Sequence, residues 1–383
     1  MDDRRRFLKR CLAGGGAAAL GLAALDDLLG PPEPLGLGFR NDAAGPLDAF
    51  SRPAAWSRAE GSLVRCELCP HRCVLAENDR GFCRARAVKG GRLHTLAYGN
   101  LCSAQLDPIE KKPLYHFLPR TPILSVAMGG CNLRCLNCQN WEISQARPAD
   151  VKRVELLPED LVALAAGRGI RALAFTYSEP LVTFEYVRDA AGLARAAGIR
   201  TVLVTAGFAE EGPLRELARV VDAVTLDVKS FRERAYRELA GARLAPVLRT
   251  LEVLREEGVW VEASFLMVTG LTDAPDEAGR FAAWLARALG PGTPLHLLRF
   301  FPAHRLQARP PTPLPALEAA RARSLDAGLR FVYLGNVPGS GANDTRCPRC
   351  GRTLVAREGF VVRRLEVAGG RCPCGEVIPG VFA

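Results

Sequence analysis

Ala127-Met128-Gly129-Gly130-Cys131-Asn132-Leu133-Arg134-Cys135-Leu136-Asn137-Cys138-Gln139-Asn140-Trp141 is the stretch on which the reading of this 383-residue chain turns. It follows an apolar, strand-like run, Thr121 to Met128, and opens on two glycines. Cys131, Cys135 and Cys138 stand in C-x3-C-x2-C order. Thiolates are the usual ligands of iron–sulfur clusters, and a [4Fe–4S] cube normally takes four of them. Three ligands on one short loop hold three irons and leave the fourth open for a substrate. Gly129 and Gly130 lack a Cβ, so backbone there can lie close to a cluster or a bound molecule. The competing assignment is a structural zinc knuckle with a distant fourth ligand. It fits the asymmetric triplet poorly, because zinc ligands come in C-x2–4-C pairs.

The 13 cysteines otherwise fall into groups of their own. Cys66, Cys69, Cys73 and Cys83 read C-x2-C-x3-C with a fourth thiol ten positions on. That spacing suits a tetrahedral four-thiolate site, zinc before a second iron–sulfur cluster. His71 either replaces one thiolate or supports a ligand from beside the site. Cys347 and Cys350 form a C-x2-C pair, and Cys372 and Cys374 a C-x-C pair, around the alternating, hairpin-like stretch Leu354–Glu366. Such an arrangement reads as a zinc ribbon, and the shortened second knuckle predicts a weakened metal site. Cys102 reads as a buried, unliganded thiol. Clusters at ligand spacing in a chain this long argue for metal sites rather than a disulfide scaffold.

Formal net charge is +10, largely from arginine. No arginine- and aromatic-rich motif accompanies it, so a solvated basic surface is expected rather than a specific nucleic-acid partner. The N-terminus, Asp3-Arg4-Arg5-Arg6-Phe7-Leu8-Lys9, resembles a twin-arginine export signal. The Ala/Gly/Leu segment Cys11–Leu25 behind it is shorter than the roughly 20 apolar residues of a transmembrane helix but suits a signal's apolar region. Export or attachment to a membrane face is therefore expected, with a cytoplasmic location as the alternative. Residues 1–29 read as this signal and 30–57 as a Pro/Gly/Ala-rich linker. Residues 58–115 read as a four-cysteine module with its connector, 116–340 as the core, and 341–383 as the ribbon-like module.

From Thr121 to about Gly335 short β-rich runs alternate with longer helical ones. Strands are expected at 121–128, 172–177, 201–206, 223–229, 260–268, 294–300 and 331–335. Amphipathic stretches lie between them at Pro158–Gly167, Leu181–Ala197, Ala245–Glu257 and Glu277–Leu289. Repeated β–α units imply a parallel sheet with helices outside, and functional groups then gather at the C-terminal strand ends. Those ends carry Thr176-Tyr177-Ser178-Glu179-Pro180, Thr205-Ala206-Gly207-Phe208, Asp227-Val228-Lys229, Thr269 to Asp273, Arg299 to Pro302, and Gly335-Asn336.

The cysteine loop resembles the signature of the radical S-adenosylmethionine (SAM) superfamily. Asp107 to Phe117, Tyr177 to Pro180, Asp227 to Lys229 and Leu295 to Pro302 narrow the resemblance to one branch, as do the two outer cysteine sets. That branch is the radical SAM proteins of the AmmeMemoRadiSam system, relatives of pyruvate formate-lyase activating enzymes. The resemblance implies an α/β fold, a partial (β/α)6 barrel flanked by small N- and C-terminal four-cysteine modules. It implies a [4Fe–4S] cluster on Cys131, Cys135 and Cys138, whose open iron chelates SAM. Reductive cleavage of SAM then gives a 5′-deoxyadenosyl radical that abstracts hydrogen from a substrate. Glu179, Thr205, Lys229 and Asn140 are implied SAM contacts, with Gly130 beside the site and Asp227 orienting Lys229 or helping bind a cation. Two family positions differ: Asn137 stands where an aromatic residue is usual, and Ala206 where an asparagine is. An electron donor such as flavodoxin or ferredoxin is implied, with Memo-type and AMMECR-type proteins as associated partners. Glycyl-radical-enzyme activation is the alternative reaction, and a non-catalytic metal-binding scaffold the alternative class.

Overall fold

The computed structural model describes residues 35–40, 47–337 and 339–382. The twin-arginine-like segment and residues 30–34 and 41–46 of the Pro/Gly/Ala-rich linker lie outside the described residues. The core is one eight-stranded sheet: β1 (Ser103–Pro108), β2 (Pro122–Ala127), β3 (Ala172–Phe175), β4 (Arg200–Thr205), β5 (Ala223–Val228), β6 (Trp260–Met267), β7 (Leu295–Arg299) and β8 (Val332–Gly335). They are ordered in space as in sequence. β2 through β8 run parallel and β1 is antiparallel to β2. The two edges do not pair with each other, so this is a curled, open barrel rather than a closed one. Every residue of β3 is buried, as a parallel strand covered on both faces must be.

Helices α1 (Pro158–Gly167), α2 (Phe184–Ala196), α3 (Glu211–Ala218), α4 (Glu233–Ala240), α5 (Leu244–Glu256), α6 (Pro275–Ala288) and α7 (Leu314–Asp326) cover the outside. The expected strands and four expected helices are present. β1, α3, α4 and α7 were not anticipated, and β1 lies within the segment read as module and connector. Inside the barrel, the segment 109–118 acts as a plug where the strands begin. Ile109, Leu114, Phe117 and Leu118 pack there on Ile123, Ala172, Ala174, Val202 and Ala223.

Two small modules sit at opposite ends of this barrel. The N-terminal one contains the antiparallel strands Ser57–Glu60, Leu63–Cys66 and Val74–Leu75, with a second small sheet from Arg52–Pro53, Arg86–Lys89 and Arg92–Thr95. It leans on the C-terminal strand ends: Glu210 N donates to Leu68 O at 3.1 Å, and Arg72 grips Glu210 with two nitrogens at 2.8 and 2.9 Å. The C-terminal module pairs Thr345–Arg346, β9 (Thr353–Glu358) and β10 (Val361–Leu365). It docks where the strands start, through Tyr115, Phe331 and Tyr333.

Candidate metal and SAM site

The cysteine loop leaves β2 and is held from three sides. The last carbonyls of a helix have no partner within it, and here the loop supplies them: Arg134 N donates to Ala240 O at 2.8 Å and Leu136 N to Leu239 O at 2.9 Å, both at the end of α4. That helix stops at Gly241, which adopts φ +67°, the left-handed cap that glycine allows. Asn132 Nδ2 donates to Phe208 O at 2.8 Å beyond β4. Cys131 N donates to Cys83 O at 3.2 Å in the N-terminal module.

Both glycines make room for the protein's own packing. A Cβ on Gly130, at φ +109°, would stand 2.7 Å from Cys83 O and 3.0 Å from Ala85 Cβ. One on Gly129 would meet Pro148 Cα at 3.0 Å. Burial raises the Cys131 thiol well above its ordinary value, with the nearby Glu179 carboxylate adding to the shift. It raises Cys135 to about 11, against the opposing pull of Lys229. Neutral thiols are thus favoured in the bare protein, and binding a metal means displacing their protons.

Glu179 is fully buried at the end of β3, where Tyr177 takes φ +68° and turns the chain. Its carboxylate accepts from Leu181 N at 3.1 Å, Thr205 Oγ1 at 2.6 Å and Ala206 N at 2.9 Å. Burial nevertheless raises its pKa, so a cation brought to it would lower that pKa again. Thr205 holds Glu179 and also accepts from Gly207 N at 2.9 Å, so it is a positioning residue. Across the site Lys229 Nζ lies 3.2 Å from Asp227 Oδ2, and Ser264 Oγ donates to the other Asp227 oxygen. Burial depresses the Lys229 ammonium, but the Asp227 carboxylate outweighs it and holds it well up.

The residues therefore fit the implied groups. Three thiols on one loop suit three irons of a cube. An anionic and a cationic side chain, Glu179 and Lys229, are matched to the ammonium and carboxylate of an amino-acid ligand. Asn137, at the departure from the family pattern, is buried with its carbonyl oxygen unpartnered; a bound ligand that donates a hydrogen would satisfy it.

Other expected positions fare differently. Asn140 is exposed and starts the short helix Trp141–Ser144 without a side-chain cap. The Thr269–Asp273 turn bonds to itself, through Gly270 N to Asp273 Oδ1 at 2.9 Å and Val268 N to Thr272 Oγ1 at 2.8 Å. Asn336 Nδ2 donates to Arg299 O at 3.1 Å, which fixes a loop. Cys102 is buried, its thiol donating to Ala127 O at 3.4 Å.

Two site features had escaped notice. Ser264, which holds Asp227, alternates with Glu262 along β6, and that period of two in an apolar strand was the available signal. Asp107, Lys111, Lys112 and Tyr177 form a compact group. The lysines sit 2.7 Å from the two oxygens of Asp107, and the Tyr177 hydroxyl donates to Asp107. Burial pushes the Asp107 carboxyl up, but the two ammoniums overcome it and hold it well below the usual range.

The outer cysteines separate sharply. Cys347 Sγ lies 3.6 Å from Cys374 Sγ, and Cys350 Sγ 3.7 Å from Cys372 Sγ. All four sulfurs fall within 4.8 Å of one another. Tetrahedral zinc with Zn–S of about 2.3 Å sets sulfurs about 3.8 Å apart, so these four could hold such an ion. The shortened C-x-C knuckle closes after all, because Gly375, at φ +89°, donates its N–H to Cys372 O at 2.8 Å. Among the described residues this is the one set of three or more such ligands gathered so tightly. Cys66, Cys69, Cys73 and Cys83 do not gather to that separation.

The open α/β barrel, the three-thiol loop and the paired charges beyond β3 and β5 define a class, and comparison with known proteins agrees. Residues 125–285 match the radical SAM superfamily, and the chain belongs to that superfamily. An uncharacterized protein of Methanocaldococcus jannaschii is 40% identical over 326 residues, covering 84% of this chain and 97% of its own. The pyruvate formate-lyase 1-activating enzyme of Escherichia coli is 29% identical over 184 residues, 46% of this chain and 72% of that enzyme. A radical SAM methyltransferase structure from Sphaerobacter thermophilus aligns at 15% identity over 59% of this chain and 70% of that one, with a TM-score of 0.44.

Proposed function

We propose that this protein reductively cleaves SAM at a [4Fe–4S] cluster held by Cys131, Cys135 and Cys138, generating a 5′-deoxyadenosyl radical for hydrogen abstraction. The observation that carries the reading is the pair of opposite charges bracketing the loop. Glu179 is buried beyond β3 and fixed by Thr205 and two backbone amides, and Lys229 stands beyond β5, 3.2 Å from Asp227. When bound, the cluster would supply the electron and the open iron; the chain's own residues bind and orient. Glu179, fixed by Thr205 Oγ1 and two backbone amides, receives the ammonium of the methionyl group. Lys229, steadied by Asp227 and through it by Ser264, receives the carboxylate. The buried Asn137 carbonyl, unpartnered among the described residues, would accept a hydrogen from the bound ligand where an aromatic residue would give packing.

Replacing one thiolate ligand tests this directly. Cys135→Ser is expected to abolish SAM cleavage while the chain stays folded; an unchanged anaerobic yield of 5′-deoxyadenosine would refute the mechanism. A second reading is activation of a glycyl-radical enzyme. It is supported by similarity to the E. coli enzyme and to the benzylsuccinate synthase activating enzyme of Thauera aromatica, at 25% identity over 123 residues. On that reading a partner protein acquires an electron-paramagnetic-resonance signal from a backbone glycine radical. Membership of the AmmeMemoRadiSam branch would instead direct the radical toward Memo-type and AMMECR-type partners. Product analysis after turnover with each kind of partner separates the two.

A further inference from the structure

SAM cleavage gives no role to Cys66, Cys69, Cys73 and Cys83, yet they adjoin the cysteine loop. Cys131 N donates to Cys83 O at 3.2 Å. His71 Nε2 lies 2.8 Å from Asn132 O, and the Arg134 guanidinium stands 3.9 Å from the centre of the Phe82 ring. Two of the four sulfurs flank one spot: a Cβ on Gly81 would lie 3.8 Å from Cys83 Sγ and 3.9 Å from Cys73 Sγ. Even so, they do not contract to the spacing of the C-terminal set. A single zinc pulls four sulfurs to about 3.8 Å, whereas a cube distributes its thiolates over four irons and needs a wider set.

Arg86 supplies a second, independent observation. It is 1% exposed, its Nε and Nη1 have no acceptor among the described residues, and its carbonyl accepts from Gly81 N at 2.9 Å in the turn that leads to Cys83. Buried donors without acceptors are rare. A cube's bridging sulfides and net negative charge supply acceptors that a lone zinc ion does not.

We infer that Cys66, Cys69, Cys73 and Cys83 hold a second [4Fe–4S] cluster that relays electrons to the cluster on Cys131, Cys135 and Cys138. One electron leaves a flavodoxin- or ferredoxin-type donor, which is oxidised. The N-terminal cube is reduced and then reoxidised as the electron passes on, and the triplet's cube ends reduced; no bond to the protein forms or breaks. The relay rests on the function proposed above, whereas the metal content of the N-terminal set does not.

The full chain, reconstituted anaerobically with iron and sulfide, tests both halves. A variant carrying Cys131→Ala, Cys135→Ala and Cys138→Ala should keep about four irons and, when reduced, a paramagnetic signal indifferent to SAM. If that variant carries zinc and no iron at the N-terminal set, the inference is overturned. Should it fail to fold, Mössbauer spectra of the unmodified chain decide. Two cube components of equal weight, one of them altered by SAM, support the inference, and a single component refutes it. Cys69→Ser with Cys73→Ser should retain the SAM-responsive signal and its reduction by dithionite, but be reduced several-fold more slowly by flavodoxin. An unchanged flavodoxin rate overturns the relay. If the triplet variant keeps its iron while the unmodified chain ignores SAM, the proposed function fails and the N-terminal cluster stands.

Discussion

The two four-cysteine modules share a ligand inventory and little else. The C-terminal one contracts its four sulfurs to single-ion spacing on the underside of the barrel, where its ties are to structural groups. Arg357, buried in that module, reaches Tyr115 O at 2.8 Å, Asn343 O at 3.0 Å and Thr345 Oγ1 at 2.9 Å. Tyr333 joins the network through Thr345 and His116, and Glu262 gathers the amides of Tyr115 and His116 with the His296 ring. The N-terminal module keeps its sulfurs wider apart and spends its contacts on the cysteine loop, the end of β4 and α2. Thiol count alone is therefore a poor guide: the two sets differ in what their ligand-bearing backbone touches.

Each module has a buried arginine, and removing the two should have unequal consequences. Arg86 pairs with Glu185 at 2.7 Å, both side chains 5% exposed or less. Arg86→Met strands a buried carboxylate, which typically costs about 3–5 kcal/mol, and it removes positive charge beside Cys66 and Cys83. The expected outcome is a marked fall in the thermal midpoint together with loss of iron from the N-terminal set. Arg357 is bonded to neutral acceptors instead, so Arg357→Met leaves polar atoms unpaired at about 1–3 kcal/mol. Its midpoint should fall less, and the yield of 5′-deoxyadenosine per bound cluster should not change. Equal losses of cleavage in both variants would erase the distinction between the modules.

Much of this arrangement was legible in the sequence for identifiable reasons. β2 through β8 are short apolar runs of buried parallel strand, and the amphipathic helices between them carry a clear period. β1 escaped because an antiparallel edge strand reading Ser-Ala-Gln-Leu-Asp-Pro has too few apolar residues to stand out. α7 escaped because its buried face is only Leu317, Ala320 and Ser324. The triplet and Glu179 were legible because a loop motif and a strand-end carboxylate are local. The His116–Glu262–His296–Tyr333 network was not, since its members lie far apart in the chain and meet only once the barrel curls. Nor could spacing separate the two cysteine modules, because C-x2-C patterns say which thiols converge and leave open how closely.

The finest form of the comparison uses two glycines, one in each cysteine neighbourhood, both with positive φ. Gly130 stands at φ +109° and a Cβ there would press to 2.7 Å from Cys83 O, whereas Gly351 stands at φ +73° beside Cys350 with nothing within 4 Å. An alanine at either site is forced into a region that L-residues enter at a cost of about 1–2 kcal/mol. At Gly351 that strain is the whole effect, so Gly351→Ala should lower the thermal midpoint slightly and leave SAM cleavage intact. At Gly130 the added methyl must also part the cysteine loop from the Cys83 carbonyl that anchors it. Displacements near reacting groups are disproportionately expensive, about 100-fold in rate for roughly 1 Å. Gly130→Ala should therefore remain folded yet lose most of its 5′-deoxyadenosine yield, with altered iron content at the N-terminal set. Wild-type cleavage by Gly130→Ala would show that the contact between the module and the loop is packing alone.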